Sequence, residues 1–177
     1  MDREIIAATT KYDRVLRALF ELYAHDFSPM TGADVDEHGA FTDEDFPATW
    51  RRSRGDAFHP FLLRVQGAWA GFAFVGEGSY IRPSEDRHWL MEEFFILRKY
   101  RGQGLGRWFA VQLFDRFPGV WEVGEIYENT DAQAFWRRVI GCYTGGRFEE
   151  VLVDNAQWSG PVQRFLTIGS LGPSRAK

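Results

Sequence analysis

The sequence predicts an α/β or α+β fold, a mixed sheet flanked by helices, and three observations predict it. Apolar runs of strand length precede, interrupt and follow two helix-patterned segments in the C-terminal half, which is not the rhythm of a regular βαβ array. A separate amphipathic helix is written near the N-terminus. Hydrophobic residues make up 45% of the 177, with sixteen Phe and seven Trp, enough to bury a sizeable core. No repeat, linker or domain boundary is visible, so residues 1–177 are expected to form one domain, with a tail from Gly172.

A short first strand is expected within Arg3–Thr9, through Ile5 and Ile6. From Tyr12 to Tyr23 the apolar positions Tyr12, Val15, Leu16, Leu19, Leu22 and Tyr23 follow the i, i+3, i+4 pattern of a helix, which Thr9 or Thr10 can cap. His25 to Trp50 reads as irregular, broken by Pro29, Gly32, Gly39 and Pro47. It holds seven acidic residues, Asp26, Asp34, Asp36, Glu37, Asp43, Glu44 and Asp45, and no Lys or Arg. That charge is either carried in water or forms a wall that attracts a cationic amine, with Phe27, Phe41, Phe46 and Trp50 beside it.

Phe61–Val65 and Trp69–Val75 read as strands joined by a tight turn, and Gly76 to Arg87 as a loop or frayed continuation. His88–Leu97 is the next strand, Leu105–Phe117 a helix ended by Pro118 and Gly119, and Val120–Tyr127 a strand. Thr130–Ile140 forms a second helix, with Ala132, Phe135, Trp136 and Val139 on one face. Arg147–Val153 and Val162–Ile168 are the last two strands.

Composition narrows the function. A net charge of −4 and a pI near 5.6 argue against a nucleic-acid binder. No apolar run approaches a membrane span, and Cys142, the lone cysteine, fits a reducing compartment, so a cytoplasmic protein is expected. His25, His38, His59 and His88 lack metal-ligand spacing, and no metal is expected.

The chemistry is concentrated in Met91–Phe117. A strand of Phe94, Phe95, Ile96 and Leu97 runs into a basic turn with glycines at 102, 104 and 106, and then into a helix. Side-chain-free backbone at the mouth of a helix, with its unpaired amides and positive dipole end, suits a phosphate or pyrophosphate. Arg98, Lys99, Arg101 and Arg107 add charge. A P-loop would need Lys-Ser or Lys-Thr after the glycines, and a dinucleotide fingerprint would need glycine where Arg107 stands, so neither applies.

Arg101-Gly102-Gln103-Gly104-Leu105-Gly106, an R-x-x-G-x-G turn, resembles that of the GNAT superfamily of acyl-CoA N-acyltransferases. Asn129-x-x-Ala132-x-x-Phe135-Trp136 resembles the same family's later helix, and Phe135 to Gly146 is similar to a bacterial subgroup of acetyltransferases. The likeness covers Met91 to Tyr143. It implies a mostly antiparallel sheet with one splayed parallel strand pair, Met91–Leu97 and Val120–Tyr127. It implies acetyl-CoA as donor, its arm held by the backbone of Phe95, Ile96 and Leu97 and by Asn129, Phe135 and Trp136, and its pyrophosphate by Arg101, Gly102, Gln103, Gly104, Leu105 and Gly106. Acceptors would be a small-molecule amine or a protein amino group.

For the base, the family's carboxylate on this strand falls on Glu92 or Glu93, which alternation puts on opposite faces; Glu92 is preferred, and Glu122 and Glu125 compete. Where many relatives carry a tyrosine acid this chain has Trp136, which leaves Tyr143, Tyr127, water or unassisted departure of the thiolate. A non-catalytic CoA-binding module of the same fold is the alternative function. Exposed aromatics would support a homodimer.

Overall fold

A computed structural model describes residues 2–43, 45–82 and 88–167. Glu44 of the acidic segment, Pro83–Arg87 of the expected loop, Ile168 of the last expected strand and the tail from Gly172 lie outside the described residues. The elements are β1 (Arg3–Ala7), α1 (Asp13–Thr31), α2 (Ala48–Arg54), β2 (Phe58–Val65), β3 (Ala68–Glu77), β4 (His88–Ile96), α3 (Leu105–Arg116), β5 (Gly119–Gly124), α4 (Thr130–Thr144), β6 (Glu149–Asp154) and β7 (Ser159–Thr167).

The strands follow the order β1-β2-β3-β4-β5-β7-β6. β1 with β2, β2 with β3, β5 with β7 and β6 with β7 are antiparallel. β4 and β5 form a parallel pair, in register from His88↔Val120 to Met91↔Val123. This is the mixed, mostly antiparallel sheet that the sequence implied.

The chain divides into two compact units, Met1–Gly76 with Glu92–Arg101, and Glu77–Met91 with Gly102–Lys177, so β4 contributes to both. In the first unit, Leu16, Leu19, Phe46, Phe58, Leu62, Phe72, Phe74 and Phe95 form the core, with Tyr23 and Trp50 packed against it. The β2–β3 turn has Gln66 at φ 49° and Gly67 at φ 80°, the two left-handed residues that match the twist of a two-residue hairpin. In the second unit, Phe114 is the hub: its ring centroid lies 4.9 Å from those of Trp121 and Phe165 and 5.3 Å from that of Tyr143. Among the described residues no helix is long and apolar enough to cross a membrane.

Three expectations are corrected. The first helix does not stop near Tyr23 but runs to Thr31, through Pro29. Proline cannot donate to the carbonyl four residues back, that of His25. The hydroxyl of Ser28 donates to this carbonyl instead, at 2.9 Å, and the helix ends one turn later at left-handed Gly32. Neither Thr9 nor Thr10 caps it; a 3-10 turn, Thr10–Tyr12, leads in and no side chain caps. The segment expected to be irregular also contains most of the first turn of α2, because Trp50 packs into the core beside Phe58 and Phe74.

A side chain on Gly71 would run into the carbonyl oxygen of Phe95 on the neighbouring strand. Gly71→Ala is therefore expected to cost about 2 kcal/mol in urea denaturation, with a shift of the midpoint at constant slope; a change below about 0.5 kcal/mol would contradict this packing.

Candidate active site

β4 ends at Ile96, and Leu97 turns the chain. Its N–H donates to the carbonyl of Ala70 at 2.9 Å, and its carbonyl accepts from the N–H of Tyr100 at 2.8 Å. A single 3-10 turn, Arg98–Tyr100, leads to Arg101 in extended conformation. Gly102 and Gly104 then both adopt φ 73°, in the left-handed region where a side chain is strained. Gly104 occupies the position before α3, and its carbonyl accepts from the N–H of Trp108 at 3.1 Å. A Cβ added at either glycine meets nothing within 4 Å, so the space over the turn is open. The following amides, of Leu105, Gly106 and Arg107, begin a helix and lack intrahelical partners. The turn is thus shaped as an anion cradle, with Gln103 exposed between its two glycines.

The arginines before the glycines belong to the first unit and share a carboxylate there. Arg98 approaches Oδ1 of Asp26 with Nε at 3.0 Å and its terminal nitrogen at 2.7 Å; Arg101 donates to Oδ2 at 2.6 Å. Nε of Arg101 donates to the carbonyl of Ile96 at 2.7 Å. Burial works against ionisation of Asp26, but the hydrogen bonds and charges of the two arginines outweigh it and hold the carboxyl below its ordinary range. Asp26 is therefore not part of a free acidic wall. It lies on α1, one of the residues by which that helix outruns its expected length.

Alternation along β4 separates Glu92 from Glu93. Glu92 forms an ion pair with Arg54 at the end of α2, and lies so close to Gly76 that a side chain there would strike the carboxylate. Glu93 faces α1, where Tyr23 donates a hydrogen bond to it. Desolvation dominates that bond and pushes the Glu93 carboxyl up to about 7. Tyr23, Asp26 and Arg54 were not singled out from sequence. The i, i+3 spacing of Tyr23 and Asp26 was legible only with α1 drawn past Tyr23, through Asp26.

In the second unit Glu122 is completely buried. It accepts from the hydroxyl of Ser79 at 2.8 Å and the N–H of Tyr80 at 2.7 Å, with Nδ1 of His88 at 3.4 Å. These contacts pin the segment after β3. Glu125 is also buried; Gln163 donates to one oxygen at 3.1 Å, and burial pushes the carboxyl up to about 8.

Asn129 caps α4, its side-chain oxygen accepting from the N–H of Ala132 at 3.1 Å. Trp136 is 5% exposed, inside the core with Phe114, and Phe135 packs edge-on against it. The hydroxyl of Tyr143 donates to Asp115 at 2.7 Å, and desolvation followed by that carboxylate raises its pKa, so its proton is held tightly. Among the described residues no group of three or more His, Cys, Asp or Glu could hold a metal ion.

A family model described as "Acetyltransferase (GNAT) family" matches residues 16–142, well over half of the chain. The chain belongs to the GNAT family of acetyltransferases. Its fold is that of a GNAT acetyltransferase from Streptococcus agalactiae 2603, with TM-score 0.64 and 16% identity over 93% of this chain and 95% of that one. It is also similar to the ribosomal-protein-S18-alanine N-acetyltransferase of Escherichia coli, with TM-score 0.56 and 14% identity over 99% and 100%. The spermidine N-acetyltransferase of Vibrio cholerae, solved with CoA and spermine, gives TM-score 0.56 and 14% identity over 93% and 95%. No curated protein matches by sequence. As a GNAT acetyltransferase this chain is an enzyme that moves an acetyl group to an amine.

The raised pKa of Glu93 has a consequence for stability. The folded chain holds this proton up to about pH 7, whereas an ordinary carboxyl loses it near 4.5, so stability falls as pH rises through that window and is level above it. Glu93→Gln removes the effect. Between pH 4.5 and 8 the variant is expected to gain about 2–3 kcal/mol on the wild type in urea denaturation; a difference independent of pH would contradict the assignment.

Proposed function

We propose that this enzyme transfers the acetyl group of acetyl-CoA to a primary amine by direct attack of the amine on the thioester. The observation that carries the reading is the turn from Arg101 to Gly106: two left-handed glycines with open space above them, at the mouth of α3. That geometry fits a pyrophosphate. When bound, acetyl-CoA supplies a carbonyl activated toward nitrogen.

The chain's own groups then have distinct tasks. The amides of Gly102, Gln103, Gly104, Leu105 and Gly106 hold the phosphates, with Arg101 beside them. Of the backbone groups at the end of β4, the N–H of Leu97 is taken by Ala70 and the carbonyl of Ile96 by Arg101. Alternation turns the N–H of Ile96 to the opposite edge from that of Leu97, which makes it the group for the donor's arm or thioester oxygen. Phe95 and Ile96 keep that edge dry.

Glu93 serves as the base, because a desolvated carboxyl near 7 matches the pH at which it must accept a proton from an ammonium. Glu92 is neutralised by Arg54. Tyr143 would have to give up Asp115 to protonate sulfur, so water is the better donor. Asn129, Phe135 and Trp136 set the start of α4. Two structural neighbours are named for a ribosomal-protein alanine and for spermidine, so small amines and protein amino groups are the acceptor classes to screen. We place the reaction in a bacterial cytoplasm, in keeping with a single cysteine.

Calorimetric titration is expected to show binding of acetyl-CoA and not of ATP. Gly104→Asp, which puts bulk and negative charge over the turn, should weaken it beyond about 100-fold, and Gly104→Asn, tolerant of the left-handed backbone, by less. Binding of ATP alone would overturn the donor assignment. With an accepted amine in hand, Glu93→Gln should lower kcat by about 10²–10⁴. Wild-type kcat/KM should rise with pH to a plateau above about 7, and the variant should lose that limb. A variant with wild-type kcat would exclude Glu93 as base.

A further inference from the structure

We propose that Asp26 of α1 is a positioning residue for the donor: it pre-orders Arg98 and Arg101 so that their remaining N–H groups present a fixed pair of cations to the pyrophosphate. The inference rests on the acetyl-CoA reading and adds to it a residue outside the glycine turn.

A guanidinium carries five N–H donors in a rigid plane. Arg98 turns Nε and one terminal nitrogen to Oδ1 of Asp26, at 3.0 and 2.7 Å. Arg101 turns one terminal nitrogen to Oδ2 at 2.6 Å and its Nε to the carbonyl of Ile96 at 2.7 Å. Oδ1 of the carboxylate thus takes two donors of Arg98 and Oδ2 takes one of Arg101, which leaves further donors on both side chains. The side chains are 73% and 46% exposed, whereas Asp26 is 15% exposed. The arginines can meet a ligand and the aspartate cannot.

Two opposite effects follow from such a carboxylate. It cancels one of two positive charges, which weakens attraction for an anion, and it fixes two long side chains that would otherwise lose their freedom on binding. The second effect outweighs the first here. The charge it subtracts acts at two arginines that stay in contact with water, which screens it. The freedom it removes is that of two long, rotamer-rich cationic side chains, which unpaired would also repel each other. Arg101 is fixed further by stacking over the ring of Phe95, 5.5 Å from its centroid. Tyr23 lies one helical turn before Asp26 on α1 and holds Glu93, so one helix face supports both the donor's arginines and the base.

The test is calorimetric titration of the full chain with acetyl-CoA and, separately, with inorganic pyrophosphate, in wild type, Asp26→Asn and Asp26→Glu. Melting curves serve as a check on folding. Asp26→Asn is expected to weaken both probes by about ten-fold and by a common factor, since only phosphate contacts are affected. Asp26→Glu, which keeps the charge on a longer arm, should recover most of that loss. A wild type that binds acetyl-CoA beside an Asp26→Asn variant whose affinity is unchanged within about two-fold, or tighter, would overturn the positioning role and leave the donor reading intact. A wild type that binds neither probe would overturn both. Should Asp26→Asn not fold, Asp26→Ala takes its place and is judged by the same two outcomes, about ten-fold weakening of both probes or affinity unchanged within about two-fold.

Discussion

Side chains of a strand alternate, and on β4 that constraint turns two adjacent carboxylates into chemically different groups. Glu92 is carried to α2, where Arg54 neutralises it; Glu93 is carried to α1, where a phenol and apolar neighbours leave it with a proton near neutrality. The same strand then delivers its last residues to a turn that faces the opposite electrostatic problem. There the chain must gather positive charge and bare amides, and it does so with arginines before the glycines and a helix start after them. A shift of register by one along β4 would exchange the faces of Glu92 and Glu93.

Helix α1 is the support for this end of β4. Its buried face carries Leu16 and Leu19 into the core, while Tyr23 and Asp26, farther along, meet Glu93 and the two arginines. Beyond Tyr23 and Asp26 the helix continues through Pro29, because the hydroxyl of Ser28 satisfies the carbonyl that proline leaves behind. In the second unit the carboxylates have other uses. Glu122 ties down the segment after β3, and Glu125 accepts a hydrogen bond from Gln163 of β7, so both are bound into the second unit's own scaffold.

Much of the fold was legible in the sequence because its signals are local. Strand-length apolar runs, the left-handed pair at Gln66 and Gly67, the glycines at 102 and 104 and the cap at Asn129 are each decided by a few neighbouring residues. The linked motifs around Arg101 and Asn129 carried the family. What could not be read was decided at a distance. Asp26 looked like one of seven acids in a loop, and only the placement of α1 against β4 makes it a partner of two arginines. Glu92 and Glu93 were recognised as rivals, but Arg54 and Tyr23, which distinguish them, are separated from them by 38 and 70 residues. Trp136 packs beside Phe114, a contact of α4 with α3 that a helix face alone does not name.

The central claim is that the amides of the Gly102–Gly106 turn hold the donor's phosphates. Backbone amide NMR of the labelled protein titrated with CoA tests it most directly. The account predicts large downfield shifts of the Gly102, Gly104, Leu105 and Gly106 N–H resonances, the signature of new hydrogen bonds to phosphate oxygens, saturating together with the arginine side-chain signals of Arg98 and Arg101. Saturable shifts confined to other parts of the chain, with these four amides unmoved, would contradict it.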